Sequence, residues 1–469
     1  MNRSALLLLG FVLLACGSDA ESASTPSPMP EHWDRELRLA DAPDLDVDPN
    51  VVRVSLEARL ADIEWKPGIK TTMWTFNGSV PGPTIRAKRG DRVIIEFRNA
   101  LPEPTIVHWH GIRLPNAMDG TELVQAPVLP GGTFTYDFVV PDAGIYWYHP
   151  HQRSGPQLSF GLYGALIVED PAAPQMGDKL DLVASDLALD ASGQLKPGDD
   201  NGWFGDYFGR EGDTLLLNGK SAPQLRVTAD EFGEWRVVNA MRAQFLRMRV
   251  PSATVLKIGA DGGRGAAPVP VNEILLAPGE RGIYLLKVPS SAGASVAIER
   301  LHYDRYHVGY DPDPVPWGSI EVIGNAHASG WKAPSKLVPI DAPNVTGAPV
   351  RSLSLDEIVP ANGSGSHFVI AGAGIDASGM MMAKKNSVEV WEIRNTTTMD
   401  HPMHLHGFFF YVLSPHPNDV IAWRDTVNLL PNQTLRIAIP FDGRVGSWML
   451  HCHILDHSDA GMMTHLMLH

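Results

Sequence analysis

Four His-x-His triplets do more than any other feature to limit what this chain can become: His108-Trp109-His110, His149-Pro150-His151, His404-Leu405-His406 and His451-Cys452-His453. Random placement of the 18 histidines would give about 0.7 such triplets, so four of them are a built feature. On a β-strand, residues i and i+2 share one face about 6.6 Å apart, so each triplet offers two imidazoles to neighbouring metal ions. Two triplets lie early in the chain and two near its carboxyl end. Together they imply a multinuclear metal site between an early and a late unit of the fold. Imidazole alone accepts copper, zinc, iron or nickel.

Cys452 narrows that choice. It lies between His451 and His453, and strand alternation aims its sulfur away from them, toward a separate site. His401, His457 and Met462 can complete that second site, with Met463 as the neighbouring alternative to Met462. Two imidazoles, one thiolate and a weak axial thioether mark a blue-copper electron-transfer centre. An electron taken up there has a short covalent route through the peptide bonds of Cys452 to the cluster on the far side. Four coppers store four electrons, enough to take dioxygen to two waters.

The rest of the chain reads as all-β. Its 44 glycines and 38 prolines are scattered among short Val-, Ile-, Leu- and Phe-rich runs, and no long amphipathic helical pattern stands out. Alternating stretches such as Arg92–Phe97 and Thr133–Phe138 fall in a first unit, residues 51–170. A second unit covers 171–324, a connector 325–349 and a third unit 350–469. Val388–Asn395 repeats the pattern of Asp91–Asn99, and a histidine cluster follows each, which points to duplicated β-sandwich domains. The middle unit has a comparable strand ending at Asn239-Ala240 with no histidine after it, so it is expected to carry structure rather than metal.

The amino terminus predicts export. Arg3 precedes an apolar run from Ala5 to Leu14 that is too short to span a membrane. Leu13-Leu14-Ala15-Cys16-Gly17 resembles a bacterial lipobox, which makes residues 1–16 a lipoprotein-type signal and residues 17–50 a polar tether and arm. Cleavage after Ala20, releasing a soluble periplasmic protein, is the alternative. The expected location is thus the bacterial periplasm or cell envelope. With Cys16 lipidated, Cys452 is the only other cysteine and no intrachain disulfide can form. A formal charge of −15 and the lack of any Lys/Arg-rich run argue against nucleic acid as a partner.

His108–Gly111 (HWHG), Tyr146–His151 (YWYHPH), His401–Gly407 (HPMHLHG) and His451–Met463 (HCHILDHSDAGMM) resemble, in order, the four copper motifs of multicopper oxidases. The likeness covers most of residues 51–469, including Asn77–Thr84 and Leu276–Arg281. It implies three cupredoxin-like Greek-key β-sandwich domains and four copper ions. His108 and His404 would hold the type 2 copper; His110, His149 and His453 one type 3 copper; His151, His406 and His451 the other. His401, Cys452, His457 and Met462 would hold type 1, with His457 nearest the reductant. Asp119 resembles the family's proton-relaying acid. Many bacterial relatives carry a Glu after the last type 1 histidine, where this chain has Ser458, so Asp456 and Asp459 become the candidates for a second acid.

The resemblance implies a laccase-like oxidase of phenolic and aromatic substrates with O2 as acceptor, or alternatively a metallo-oxidase of Cu(I) and Fe(II) in copper tolerance. Met380-Met381-Met382 suits the second reading, and His302–His307 could line a reductant pocket. A non-catalytic cupredoxin scaffold of the envelope is disfavoured, because all the expected ligands are present. A two-domain nitrite reductase is disfavoured by length and by the middle unit.

Overall fold

The computed structural model describes residues 37–289, 291–305, 314–324, 332–360, 365–376, 378–416 and 419–469. The signal and lipobox reading, Cys16 included, lies outside these residues, as do Tyr306, His307 and part of the connector.

Period-two hydrophobicity builds the strands. In Val51–Lys66, Val52, Val54, Leu56 and Ala58 turn inward while Arg53, Ser55 and Glu57 turn outward. Val93, Ile95 and Phe97 do the same in Arg92–Asn99. Six sheets result among the described residues, two from each third of the chain, and they pack as three two-sheet sandwiches. In the first, a sheet ordered Ile69–Phe76, Val51–Lys66, Arg92–Asn99, Thr133–Val139 faces one ordered Gly82–Lys88, Gly164–Glu169, Gly144–Pro150, Val107–His110. The all-β expectation holds, with only short helices among the described residues, none long and apolar enough to cross a membrane.

One scaffold recurs in all three sandwiches. Arg92–Asn99, Phe232–Asn239 and Ser387–Asn395 each run parallel to the first long strand of their sandwich and antiparallel to a second neighbour. Each ends in a fully buried asparagine that bonds in the same way. Asn99 Nδ2 donates to the carbonyls of Glu103 and Val128, Asn239 Nδ2 to those of Gln244 and Leu276, and Asn395 Nδ2 to those of Met399 and Leu429. In each case the side-chain oxygen accepts the N–H two residues on. A buried amide satisfied at every bond fixes the chain as it leaves the strand. In the first sandwich the next strand carries a histidine triplet, and in the third the next strand ends within one.

Packing brings the triplets together. One apolar cluster runs from the first sandwich into the third, joining Trp109 and Leu114 to Met403, Leu405 and Trp448. Another joins Trp147 and Ile167 of the first to Val183 and Ile283 of the middle and Leu455 of the last. Each such Leu, Ile or Val fully buried is worth about 1.5–3 kcal/mol.

Candidate metal centre

Antiparallel pairing sets the histidines opposite one another. Val107–His110 lies against Gly144–Pro150 with His108 facing His149, and His401–Leu405 lies against Gly446–Cys452 with His404 facing His451. The two halves then meet across the interface between sandwiches: His108 stacks on His406 at 3.9 Å between ring centroids, and His110 on His404 at 3.7 Å. All eight imidazoles are buried. Ligand nitrogens of His108, His110 and His149, of His108, His404 and His406, and of His151, His406 and His451 each lie within 4.8 Å of one another. The His453 ring completes the group, 5.0 Å from His110 and 5.5 Å from His149.

Hydrogen bonds to carbonyl oxygens select the tautomers. Nδ1 of His108 donates to the Asp119 carbonyl at 2.7 Å, of His149 to Pro150, of His404 to Asp425, and of His451 to Cys452. A carbonyl can only accept, so the proton sits on Nδ1 and the Nε2 lone pair is left to face the cluster. Among the described residues the buried Nε2 atoms of His108, His149 and His404 have no hydrogen-bond partner, and neither ring nitrogen of His453 has one. An unsatisfied buried nitrogen costs about 1–3 kcal/mol, a cost that ligation of a metal ion removes. Burial pushes His149 and His451 down to about 3, and holds His108, His110, His151, His406 and His453 well below the ordinary histidine value. These are neutral imidazoles, the form that binds metal.

The opposite face of the Gly446–Cys452 strand holds the second site. Trp448, Leu450 and Cys452 point into the core of the third sandwich, while Met449 and His451 point out of it. Cys452 Sγ lies 3.6 Å from Nδ1 of both His401 and His457, and all three side chains are buried. His401 Nε2 bonds the Thr397 hydroxyl at 2.8 Å, and His457 Nε2 donates to the Tyr207 carbonyl at 2.9 Å, so the Nδ1 edges face the sulfur. The Phe368 ring packs on both imidazoles. Burial pushes the Cys452 thiol up to about 12 and His457 down to about 3, so the thiolate form calls for a bound cation. Met462 is fully buried and its backbone joins Cys452 and His457, accepting from Cys452 N at 3.1 Å and donating to the His457 carbonyl at 2.8 Å. Met463 instead pairs with His451 in the sheet and is part-exposed.

Asp119 reaches the imidazole cluster from the first sandwich. It is buried, follows the short helical turn Asn116–Met118, and accepts from His406 Nδ1 at 2.9 Å. Burial raises its carboxyl well above the usual range. Gly120 must be glycine: its φ is +74°, and a Cβ there would meet the Val107 carbonyl oxygen at 1.8 Å.

Sequence reasoning missed a buried brace. Arg281 of the middle sandwich grips Asp425 with two bonds, of 2.6 and 2.5 Å, and its N–H donates to Asp261. Asp425 in turn bonds His110 Nε2 at 3.2 Å and lies 3.4 Å from His404 Nδ1. Arg281 holds the Asp425 carboxyl well below its usual range despite burial. The one available signal was Leu276–Arg281, whose Gly279 also approaches the site: a Cβ there would meet the His453 ring at 2.7 Å. The other acids fall differently. Asp456 bonds Arg242 at 2.6 Å and also bonds Arg210, whereas Asp459 accepts from Gly155 N and is pushed up to about 6 by burial. Ser458 is buried. In the described part of His302–His307, Tyr303 stacks on Phe245 at 4.2 Å and Arg305 is buried, while His302 is half-buried and Asp304 exposed.

Residues 59–173 and 360–468 match sequence profiles of multicopper oxidase domains. The chain is 30% identical to a multicopper oxidase of Staphylococcus epidermidis over 83% of its own length and 82% of the relative's. It is 27% identical to a laccase of Bacillus subtilis, covering 84% and 89%. Among solved structures, a Campylobacter jejuni multicopper oxidase described as a metallo-oxidase superposes with a TM-score of 0.82 at 30% identity, covering 94% of this chain and 96% of that one. By descent as well as by geometry, this chain belongs to the multicopper oxidase family, copper-dependent oxidoreductases that pass electrons from a reductant to dioxygen.

Proposed function

We propose that the protein is a four-copper, laccase-like oxidase of phenolic and aromatic reductants. His401, Cys452 and His457, with Met462 as axial donor, hold type 1. His108 and His404 hold type 2. His110, His149 and His453 hold one type 3 ion, and His151, His406 and His451 the other. Bound copper supplies one-electron redox chemistry and the affinity for dioxygen.

The observation that carries this reading is Cys452, whose sulfur faces His401 and His457 while its two backbone neighbours, His451 on the opposite face of the strand and His453 just past its end, join the imidazole cluster. Four one-electron oxidations and four protons then convert dioxygen to two waters. Asp119, kept protonated more readily by burial and bonded to His406, is placed to supply protons. Export and anchoring through lipidated Cys16 are proposed on the Leu13–Gly17 motif alone.

Aromatic reductants fit the surface beside His457. That imidazole is only 1% exposed, because the helix Gly202–Phe208 covers it through the Tyr207 carbonyl. The outer side of the same helix presents Trp203 and Phe204, 46% and 47% exposed. A phenol stacked there is within one helix of the type 1 site. The likeness to the Campylobacter metallo-oxidase favours Cu(I) as the second reading. Oxygen uptake by copper-loaded protein, with a simple phenol against Cu(I), separates the two. Trp203→Ala with Phe204→Ala should lower kcat/KM for the phenol about tenfold, equivalent to about 1.4 kcal/mol, and leave Cu(I) oxidation unchanged. Phenol oxidation unaffected by the pair, with faster uptake on Cu(I), would favour the second reading instead.

A further inference from the structure

Two arginines among the described residues are at most 1% exposed, and they are bonded differently. Arg281, the brace of the imidazole cluster, uses all three guanidinium nitrogens: Nε donates to the Ile145 carbonyl at 3.1 Å, and Nη1 and Nη2 donate to Asp425. Arg305 uses one. Its Nη2 donates to Glu211, while Nε and Nη1 have no hydrogen-bond partner among the described residues. The guanidinium lies 5.9 Å from the centre of the Phe245 ring. Buried donors without partners are costly, and an apolar side chain of similar volume avoids that cost. Packing alone therefore gives no reason for a charge at this position.

The charge lies against the His401–Cys452–His457 site. A Cβ on Gly209 would sit 3.6 Å from Arg305 Nη1 and 2.9 Å from the side chain of Ile454, two residues beyond Cys452. Tyr303, two residues before Arg305, bonds Asp400, the neighbour of His401. Burial is the main reason that His401 and His457 are held below the ordinary histidine value and the Cys452 thiol above its own; the Arg305 charge then opposes protonation of all three. The carboxylate of Glu211 answers Arg305 from a side chain that is 29% exposed, so solvent screens the negative partner more than the positive one.

We propose that the buried guanidinium of Arg305 raises the reduction potential of the type 1 site and so brings less easily oxidised phenols within reach of the enzyme. This rests on the four-copper reading above. On oxidation the type 1 site gains one positive charge, and a fixed positive charge beside it in a dry interior disfavours that more positive state. Guanidinium groups carry a permanent charge, so the effect does not titrate away. Arg305 acts through its field rather than through a bond to a ligand. Glu211 opposes it from the surface and sets how much of the effect remains.

The test is a redox titration of the copper-loaded protein against one-electron mediators without oxygen, followed by the blue absorption. Arg305→Met should lower the potential, moving the partition of the electron toward the mediator about tenfold, or about 59 mV for a one-electron couple. Arg305→Lys, which keeps the charge, should recover most of the native value. Glu211→Gln should move the potential the other way, because it leaves the guanidinium unopposed. A residue that only packs does not give shifts of opposite sign at the two ends of one ion pair. A partition in Arg305→Met within about twofold of the native one, or equal shifts in the Met and Lys variants, would overturn the proposal. Should Arg305→Met fail to fold, Glu211→Gln decides alone: an unchanged or lowered potential overturns it. A native protein that loads copper yet shows no blue absorption would instead overturn the type 1 reading on which the proposal rests.

Discussion

The imidazole cluster and the His401–Cys452–His457 site occupy opposite faces of one strand, yet they are held by different means. The cluster draws two triplets from the first sandwich and two from the third, and a middle sandwich without a ligand braces it through Arg281, Asp425 and Asp261. Its imidazoles meet only when the first and third sandwiches are docked. The thiolate site is built almost wholly within the last sandwich: Cys452 ends one strand, His401 opens its partner, and His457 lies on the short helix Leu455–Asp459 just after Cys452. From the middle one the Tyr207 carbonyl bonds His457, and Arg242 and Arg210 bond Asp456 beside it. The site proposed to accept electrons is therefore shaped mostly within one sandwich, while the one proposed for oxygen chemistry depends on two of them docking.

The severest test of this contrast is Cys452→Ser. It should abolish the blue absorption and steady-state oxygen uptake while the other three coppers stay bound, measured by metal analysis together with EPR. Loss of all four would mean that the two faces are not independent.

Acid should separate the sites next. In copper-free protein the folded-state values of His149 and His451 lie at about 3, below the unfolded value of about 6.5. Between those limits the unfolded chain binds more protons, so stability is full above pH 6.5 and falls as pH drops toward 3. From pH 6.5 to 4 the loss is of the order of 3 kcal/mol for each such imidazole. The cluster has seven histidines lowered in this way and the thiolate site two, so urea midpoints of copper-free protein should fall steeply with acid. His401→Gln with His457→Gln should leave most of that slope in place. A slope removed by this pair would reverse the ranking.

Arg281→Met probes the brace alone. It leaves Asp425 buried without its cation, a loss of about 3–5 kcal/mol. Denaturation midpoints should fall and copper should be lost from the cluster, while the blue absorption of the remaining protein keeps its position. An unchanged copper content would show that the triplets hold their geometry without the middle sandwich.

Much of this was legible in the sequence because the chemistry is written at short range. His108-Trp109-His110 lies within a strand, the other three triplets end one residue past theirs, and the alternation that separates Cys452 from His451 is the alternation found. The repeated Asn99, Asn239 and Asn395 mark strand ends in sequence, but their shared bonding to carbonyls as far as 37 residues ahead is visible only in the fold. Met380-Met381-Met382 reads as one apolar run, yet pairing sends its middle residue inward and the outer two to a surface shared with His465 and Met467.

By itself, then, the sequence determined the strand-borne ligand candidates, the all-β architecture and the family, since each rests on local period and spacing. The tertiary structure decided what surrounds those ligands: Asp425 locked by Arg281, His457 roofed by Tyr207, Asp119 beside His406. These partners lie between 144 and 287 residues apart along the chain, and no local pattern encodes a contact that forms only when separately folded sandwiches bury their apolar faces against one another.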